Sequence, residues 1–200
     1  MEENNSTLDI SEFQFYYSAI RNDDVLRIKE FLDKPGVDKK VMINSAFNLR
    51  LGDKELKRSD LNYHLSLPLH IAVSTGCLQV AQYFLDNGAD ACLKDKHGYT
   101  LFHSIVAITR ALKMDELMTV EIFDWLVEHL KPEVTRKLLL SENDRGLRPV
   151  EYAAKRGLLM LLDRMMSTKG VYVMREEIKG STSYMWHDVT EYSNGERVTE

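Results

Sequence analysis

The chain has 200 residues, a length that fits one domain or slightly more at roughly 150 residues each. Hydrophobic residues make up 44% and charged residues 28%, an ordinary balance for a globular protein. Lys plus Arg is 26 against 31 Asp plus Glu, a net charge of −5, which speaks against a phosphate-backbone binder with its clustered Lys and Arg.

Residues 1–14 read as a polar N-terminal segment. Met1-Glu2-Glu3-Asn4-Asn5 is acidic and lacks the charged-then-apolar layout of a secretory signal. The glycosylation patterns at Asn4 and Asn5 therefore carry no weight. The longest apolar runs, at 138–140 and 157–162, fall far short of the roughly 20 residues that span a bilayer. Cys77 and Cys92 form no Cys-x-x-Cys pair, so neither a disulfide framework nor a structural zinc site is expected. Both read as reduced thiols of a cytosolic protein.

From Phe15 two apolar-periodic stretches follow, Phe15 to Asp23 and Asp24 to Leu32. They read as a degenerate helix pair. Asn44 to His64 then reads as an insertion of mixed charge, in which Phe47, Leu49 and Leu51 alternate before Gly52-Asp53, a hint of a short hairpin. The clearest unit comes next. Pro68 suits the first turn of a helix, where its missing N–H would be unpaired anyway. Leu69, Ala72 and Val73 share one helical face, Ala72 is small enough for close helix approach, and Gly76 ends the helix. Val80, Tyr83 and Phe84 form a second stripe, and Gly88 permits a left-handed turn after it.

The signal returns at Thr100-Leu101-Phe102-His103, and 103 − 70 = 33 residues separate the two histidines. Here Ile105-Val106 replaces the Ala pair, and Thr109 to Leu112 extends the helix. Met118, Ile122, Trp125, Leu126 and His129 mark its partner. Lys131 to Leu140 reads as one more turn or a short helix. Pro149 to Gly157 is a further first helix, with Glu151 in the place of His70. In the first pair Tyr17 takes that place and Asp23 that of Gly76. After Lys169-Gly170, Val171 to Met174 and Tyr184 to Val189 are β-branched and aromatic around a Lys179-Gly180-Ser181-Thr182 turn. We read residues 168–192 as a β-hairpin appendage and 193–200 as a disordered tail. A free two-stranded hairpin is marginal in water, so one face should pack on the last helices near Leu158, Leu161 and Leu162. Tyr184, Trp186 and Val189 then mark a candidate assembly strand.

The period and the residues Leu67-Pro68-Leu69-His70-Ile71-Ala72 to Gly88-Ala89-Asp90 resemble the ankyrin repeat, over residues 15–167. The fold this implies is an all-α solenoid of about four repeats, two with insertions. The stretch from His97-Gly98 through His103-Ser104-Ile105-Val106, Ile122-Phe123-Asp124-Trp125-Leu126 and Asn143-Asp144 to Gly157 is similar to the later ankyrin repeats of vanilloid-type transient receptor potential channels. Trp186 to Tyr192 is similar to the strand segment that follows them. The sequence departs from that family in carrying fewer recognisable repeats and in stopping at Glu200 without membrane helices, so channel activity is not carried over.

No chemistry competes with this reading. In ankyrin repeats the histidine at the positions of His70 and His103 bonds to loop backbone, so both read as packing residues. His64, His129 and His187 fit no ligand spacing, and Cys77 has no base with an orienter. Asp23-Asp24 and Glu176-Glu177 are adjacent in sequence and do not face each other. No phosphate-binding glycine motif occurs, and no cofactor is expected. The resemblance implies a non-catalytic, cytoplasmic protein-interaction module, either channel-associated or a free adaptor. Its partners are proteins, reached through loop fingers, the concave face or the strand edge, with a second copy among the candidates. Lys94, Lys96, His97 and Arg145, on inter-repeat loops, are the candidate contact residues.

Overall fold

The computed structural model describes residues 10–45, 67–111, 114–179, 182–187, 191–193 and 196–198, with side chains at 11–45, 67–109 and 114–173. Four helix pairs follow one another: α1 (Ile10–Arg21) with α2 (Val25–Leu32), α4 (Pro68–Ser74) with α5 (Leu78–Asp86), α6 (Leu101–Ala111) with α7 (Glu116–His129), and α9 (Pro149–Arg156) with α10 (Leu159–Met166). The first helices stack in the order α1, α4, α6, α9, while α2 packs on α5 and α7 on α10. The result is a two-layered solenoid in which each pair rests on its neighbours. Among the described residues two further helices interrupt the array, α3 (Lys39–Asn44) and α8 (Pro132–Leu140).

Local sequence explains most boundaries. Pro68, Pro132 and Pro149 open α4, α8 and α9 at positions that need no N–H. Asp24, Asp38 and Asp115 cap α2, α3 and α7 through their side chains. The turns inside the first, second and fourth pairs use a left-handed residue, Gly157 in the fourth at φ +71°. Gly76 supplies it at φ +76°, and Asp23 occupies the same place at φ +53°, a conformation that short polar side chains tolerate best after glycine. Ala19, Ala72 and Ala153 are fully buried at one register of the first helices, with Ile105 at that register in α6. Aromatic rings fill the space between layers: Tyr16 stacks on Phe31 at 4.7 Å, and Phe102 lies 5.3 Å from Phe123.

The helices α5 and α10 have no side-chain cap of their own. Each is capped from the preceding repeat. Asp23 Oδ1 accepts the Val80 N–H at 2.8 Å and Oδ2 the Gln79 N–H at 3.3 Å. Glu116 Oε1 accepts the Leu161 N–H at 3.0 Å. These carboxylates satisfy donors that a helix start otherwise leaves unpaired.

Several expectations change. α1 begins at Ile10, inside the segment expected to be polar, because Phe13, Tyr16 and Ile20 continue its buried face. α3 has no counterpart in the sequence reading, and the hairpin expected around Gly52 falls outside the described residues. Lys131 to Leu140 forms the nine-residue α8. The chain then leaves α10 through a turn in which the Thr168 carbonyl accepts the N–H of Val171, Tyr172 and Val173. This root is tied to α8: Tyr172 Oη donates to the Leu139 carbonyl at 3.0 Å and Arg136 Nη1 to that of Gly170 at 2.9 Å. The hydrogen bonds of the root thus reach α8, and the hairpin side chains expected to pack near Leu158, Leu161 and Leu162 lie outside the described ones. Beyond it the backbone of β1 (Val173–Lys179) runs antiparallel to β2 (Thr182–His187), with a register shift between Val173 and Arg175. Where a disordered tail is expected from residue 193, β3 (Glu191–Ser193) pairs with β4 (Glu196–Val198).

Candidate functional site

Two loops project from the same edge of the solenoid. One runs from Asp90 to Tyr99 before α6, the other from Ser141 to Arg148 before α9. They are built alike, 143 − 95 = 48 residues apart. In the first, Asp95 Oδ1 accepts the N–H of His97 and of Tyr99, each at 2.8 Å, and the Asp95 N–H bonds the Tyr99 carbonyl at 3.0 Å. In the second, Asn143 Oδ1 accepts the N–H of Arg145 at 2.9 Å and of Leu147 at 3.2 Å, and the Asn143 N–H bonds the Leu147 carbonyl at 3.0 Å. His97 and Arg145 therefore occupy the same place at the tips of successive fingers.

Each finger is clasped by a histidine from the repeat before it. His70 Nε2 donates to the Leu93 carbonyl at 3.1 Å, and His103 Nε2 to the Leu147 carbonyl at 2.8 Å. The other ring nitrogens then accept: His70 Nδ1 from Ser104 Oγ at 3.0 Å, and His103 Nδ1 from the Thr100 hydroxyl at 2.9 Å and N–H at 3.2 Å. Burial favours these neutral rings. It pushes His70 down to about 4 and lowers His103 from the ordinary imidazole value, against the raising effects of Asp95 and the carbonyl bonds.

The fingers are also stitched to each other. The Asp144 N–H donates to the His97 carbonyl at 3.1 Å, and Lys94 Nζ to the Glu142 carbonyl at 2.7 Å. Gly98, at φ +70°, sits so close that an added Cβ would lie 2.5 Å from Asp144 Oδ1. Behind the tips, Tyr99 Oη donates to Tyr152 Oη at 3.2 Å, and Arg156 Nη2 donates to that same oxygen at 2.7 Å. Burial and then the Tyr152 bond raise the Tyr99 hydroxyl to about 12.

All four predicted contact residues lie on this edge, with Lys94, Lys96 and His97 on one finger and Arg145 on its neighbour. All four are exposed. They differ in use. Lys94 is spent on the stitch. Lys96 and Arg145 have no ion pair among the described residues, and the His97 ring lies 5.7 Å from that of Tyr99. Tyr184 and Trp186 lie on β2, where their backbone partners are Glu177 and Arg175. Val189 falls outside the described residues. Sequence reasoning missed Asp95 and Asn143, the residues that shape the fingers. Their signal is an Asp or Asn three residues before a glycine, at Gly98 and Gly146.

Both buried histidines are committed to backbone carbonyls. Cys77 is buried and its thiol is raised by burial, which removes thiolate character. Cys92 is half-buried, and both cysteines are free thiols. Among the described residues no His, Cys, Asp or Glu group of three is placed to hold a metal ion, and no helix is long and apolar enough to cross a membrane.

Comparison with known proteins agrees with this geometry. A family model described as ankyrin repeats in many copies matches residues 57–103. The transient receptor potential cation channel subfamily V member 5 of Rattus norvegicus is 24% identical over 110 residues, which is 55% of this chain and 14% of the channel. The chain thus corresponds to a small part of that relative's length.

Proposed function

We propose that this chain, an ankyrin-repeat protein, is a non-catalytic protein-interaction module whose contact edge is formed by the two stitched fingers. The observation that carries the reading is the equivalence of His97 and Arg145, two exposed side chains held at one position on successive loops by the same backbone bonds. Such loops on a fixed scaffold present side chains with little ordering cost on binding. There Lys96 and Arg145 stand beside the exposed carboxylates of Glu142 and Asp144, a mixed-charge rim that can pair with charged groups of either sign on a partner.

The test is interaction mapping with the full chain. Lys96→Glu together with Arg145→Glu should abolish specific partner capture while leaving the circular dichroism melt unchanged. Leu26→Glu, on the exposed surface of α2, should leave capture intact. Capture that survives the finger variant would overturn the assignment of the edge.

A finer reading is that the chain is the cytoplasmic ankyrin portion, or a short relative, of a transient receptor potential-like channel. The likeness to the rat channel supports it. So does the backbone pairing of β1 with β2 directly after the last repeat, which gives a strand edge for assembly with another chain. Sequencing the transcript beyond codon 200 tests the reading: membrane spans in frame support it, and a stop codon favours a free-standing adaptor.

A further inference from the structure

A half-open groove of about 320 Å³ lies between α8 and the turn that leaves α10. Its apolar wall is Val127, Pro132 and Val171, and its polar lining includes Glu133, Thr135, Arg136 and Lys169. Thr135 is the unusual member. Elsewhere Thr109, Thr119 and Ser167 each donate their hydroxyl to the carbonyl four residues back. Thr135 is 3% exposed, and its hydroxyl has no hydrogen-bond partner among the described residues. A buried, unpaired hydroxyl is rare and calls for an explanation.

The surroundings say what would satisfy it. Thr135 lies in the first turns of α8, whose N-cap residue Lys131 offers no side-chain cap, so partial positive charge is left at this end. Arg136 spends Nη1 on the Gly170 carbonyl, and the rest of its planar fork retains donors suited to a carboxylate. At roughly 30 Å³ per small group, the volume suits an acyl chain of about eight carbons with its head group.

We propose that this groove binds a small amphipathic monocarboxylate, with the carboxylate between Thr135 and Arg136 and the apolar body against Val127, Pro132 and Val171. The site lies apart from the fingers and does not rest on their role.

Calorimetry and thermal melts with octanoate, octanol and octylammonium, each below its aggregation limit, test this on the full chain. Octanoate should bind and raise the melting temperature, octanol should bind at least tenfold more weakly, and octylammonium should not bind. Arg136→Gln should weaken octanoate at least tenfold. Thr135→Val separates a ligand role from a structural one. It should raise the melting temperature of the ligand-free chain, because an unpaired hydroxyl is removed, and should reduce the octanoate-induced shift. Equal binding of octanol and octanoate, no octanoate binding, or a ligand-free Thr135→Val chain that melts lower would each overturn the proposal.

Discussion

His70 shows how a single residue can tie stability to pH. Its ring is buried, neutral and bonded at both nitrogens, and burial holds it at about 4 instead of 6.5. The unfolded chain therefore binds the proton more readily than the folded one. Stability from this group is fully present above about pH 6.5 and is lost as pH falls through the window down to about 4. A shift of this size corresponds to roughly 3 kcal/mol, and His103 adds to it in the same direction. The urea midpoint should fall steadily between pH 7 and pH 4.5, and His70→Gln should flatten that slope while lowering the midpoint at pH 7. An equally steep slope in the variant would place the titrating group elsewhere. The histidine positions were legible in the sequence because they recur at the repeat period. The first and last repeats depart from it for visible reasons. Tyr17 stacks on Phe13 at 5.5 Å. The Glu151 carboxylate turns back to its own helix start and accepts the Arg148 N–H at 2.7 Å.

At the scale of the element, the cross-repeat caps set the strongest expectations. Asp23→Ala removes the acceptor for α5 and leaves a left-handed backbone position on a residue that resists it. The cost should be about 1–3 kcal/mol. Asp23→Gly, which relieves only the backbone, should recover part of it; identical losses in the two variants would mean that the backbone contributes nothing. Ala72→Leu should cost roughly 1–3 kcal/mol by overpacking the seam between α4 and its neighbours, read as a lower melting temperature. Helix starts at proline, pair spacing and the Gly76 turn could all be read from the chain, because each depends on residues within one turn. The caps could not. Asp23 and Val80 are 57 residues apart, and Glu116 and Leu161 are 45 apart. Lys94 looks like a free contact residue in the sequence for the same reason, since its acceptor is a backbone carbonyl 48 residues on. α3 escaped notice because six residues are too few to show a helical period.

For the whole molecule, the question is how the last repeat is closed. The terminal repeat of a stack has no successor to cover it, and here the chain itself turns back after α10. Val171 and Tyr172 join the core, and the Tyr172 hydroxyl reaches α8. Truncation after Lys169 should therefore destabilise the protein by roughly 3–5 kcal/mol, much as deleting a buried aromatic does. Tyr172→Ala in the full chain should reproduce most of that loss in a denaturant melt. A truncated chain as stable as the intact one would show that the root does not serve as a cap.

The carboxylate caps also divide the array unevenly. Asp23 fastens the first repeat to the second and Glu116 the third to the fourth, both at the edge opposite the fingers. α7, at the junction between them, is capped by its own Asp115. That middle joint is held by the packing of α4 on α6, by His70 with Ser104 and Leu93 on the finger side, and by Met118 and Ile122 against Gly76 on the other. In mechanical terms the carboxylates act as clamps on the two outer joints, whereas the middle joint is a press fit of α4 against α6.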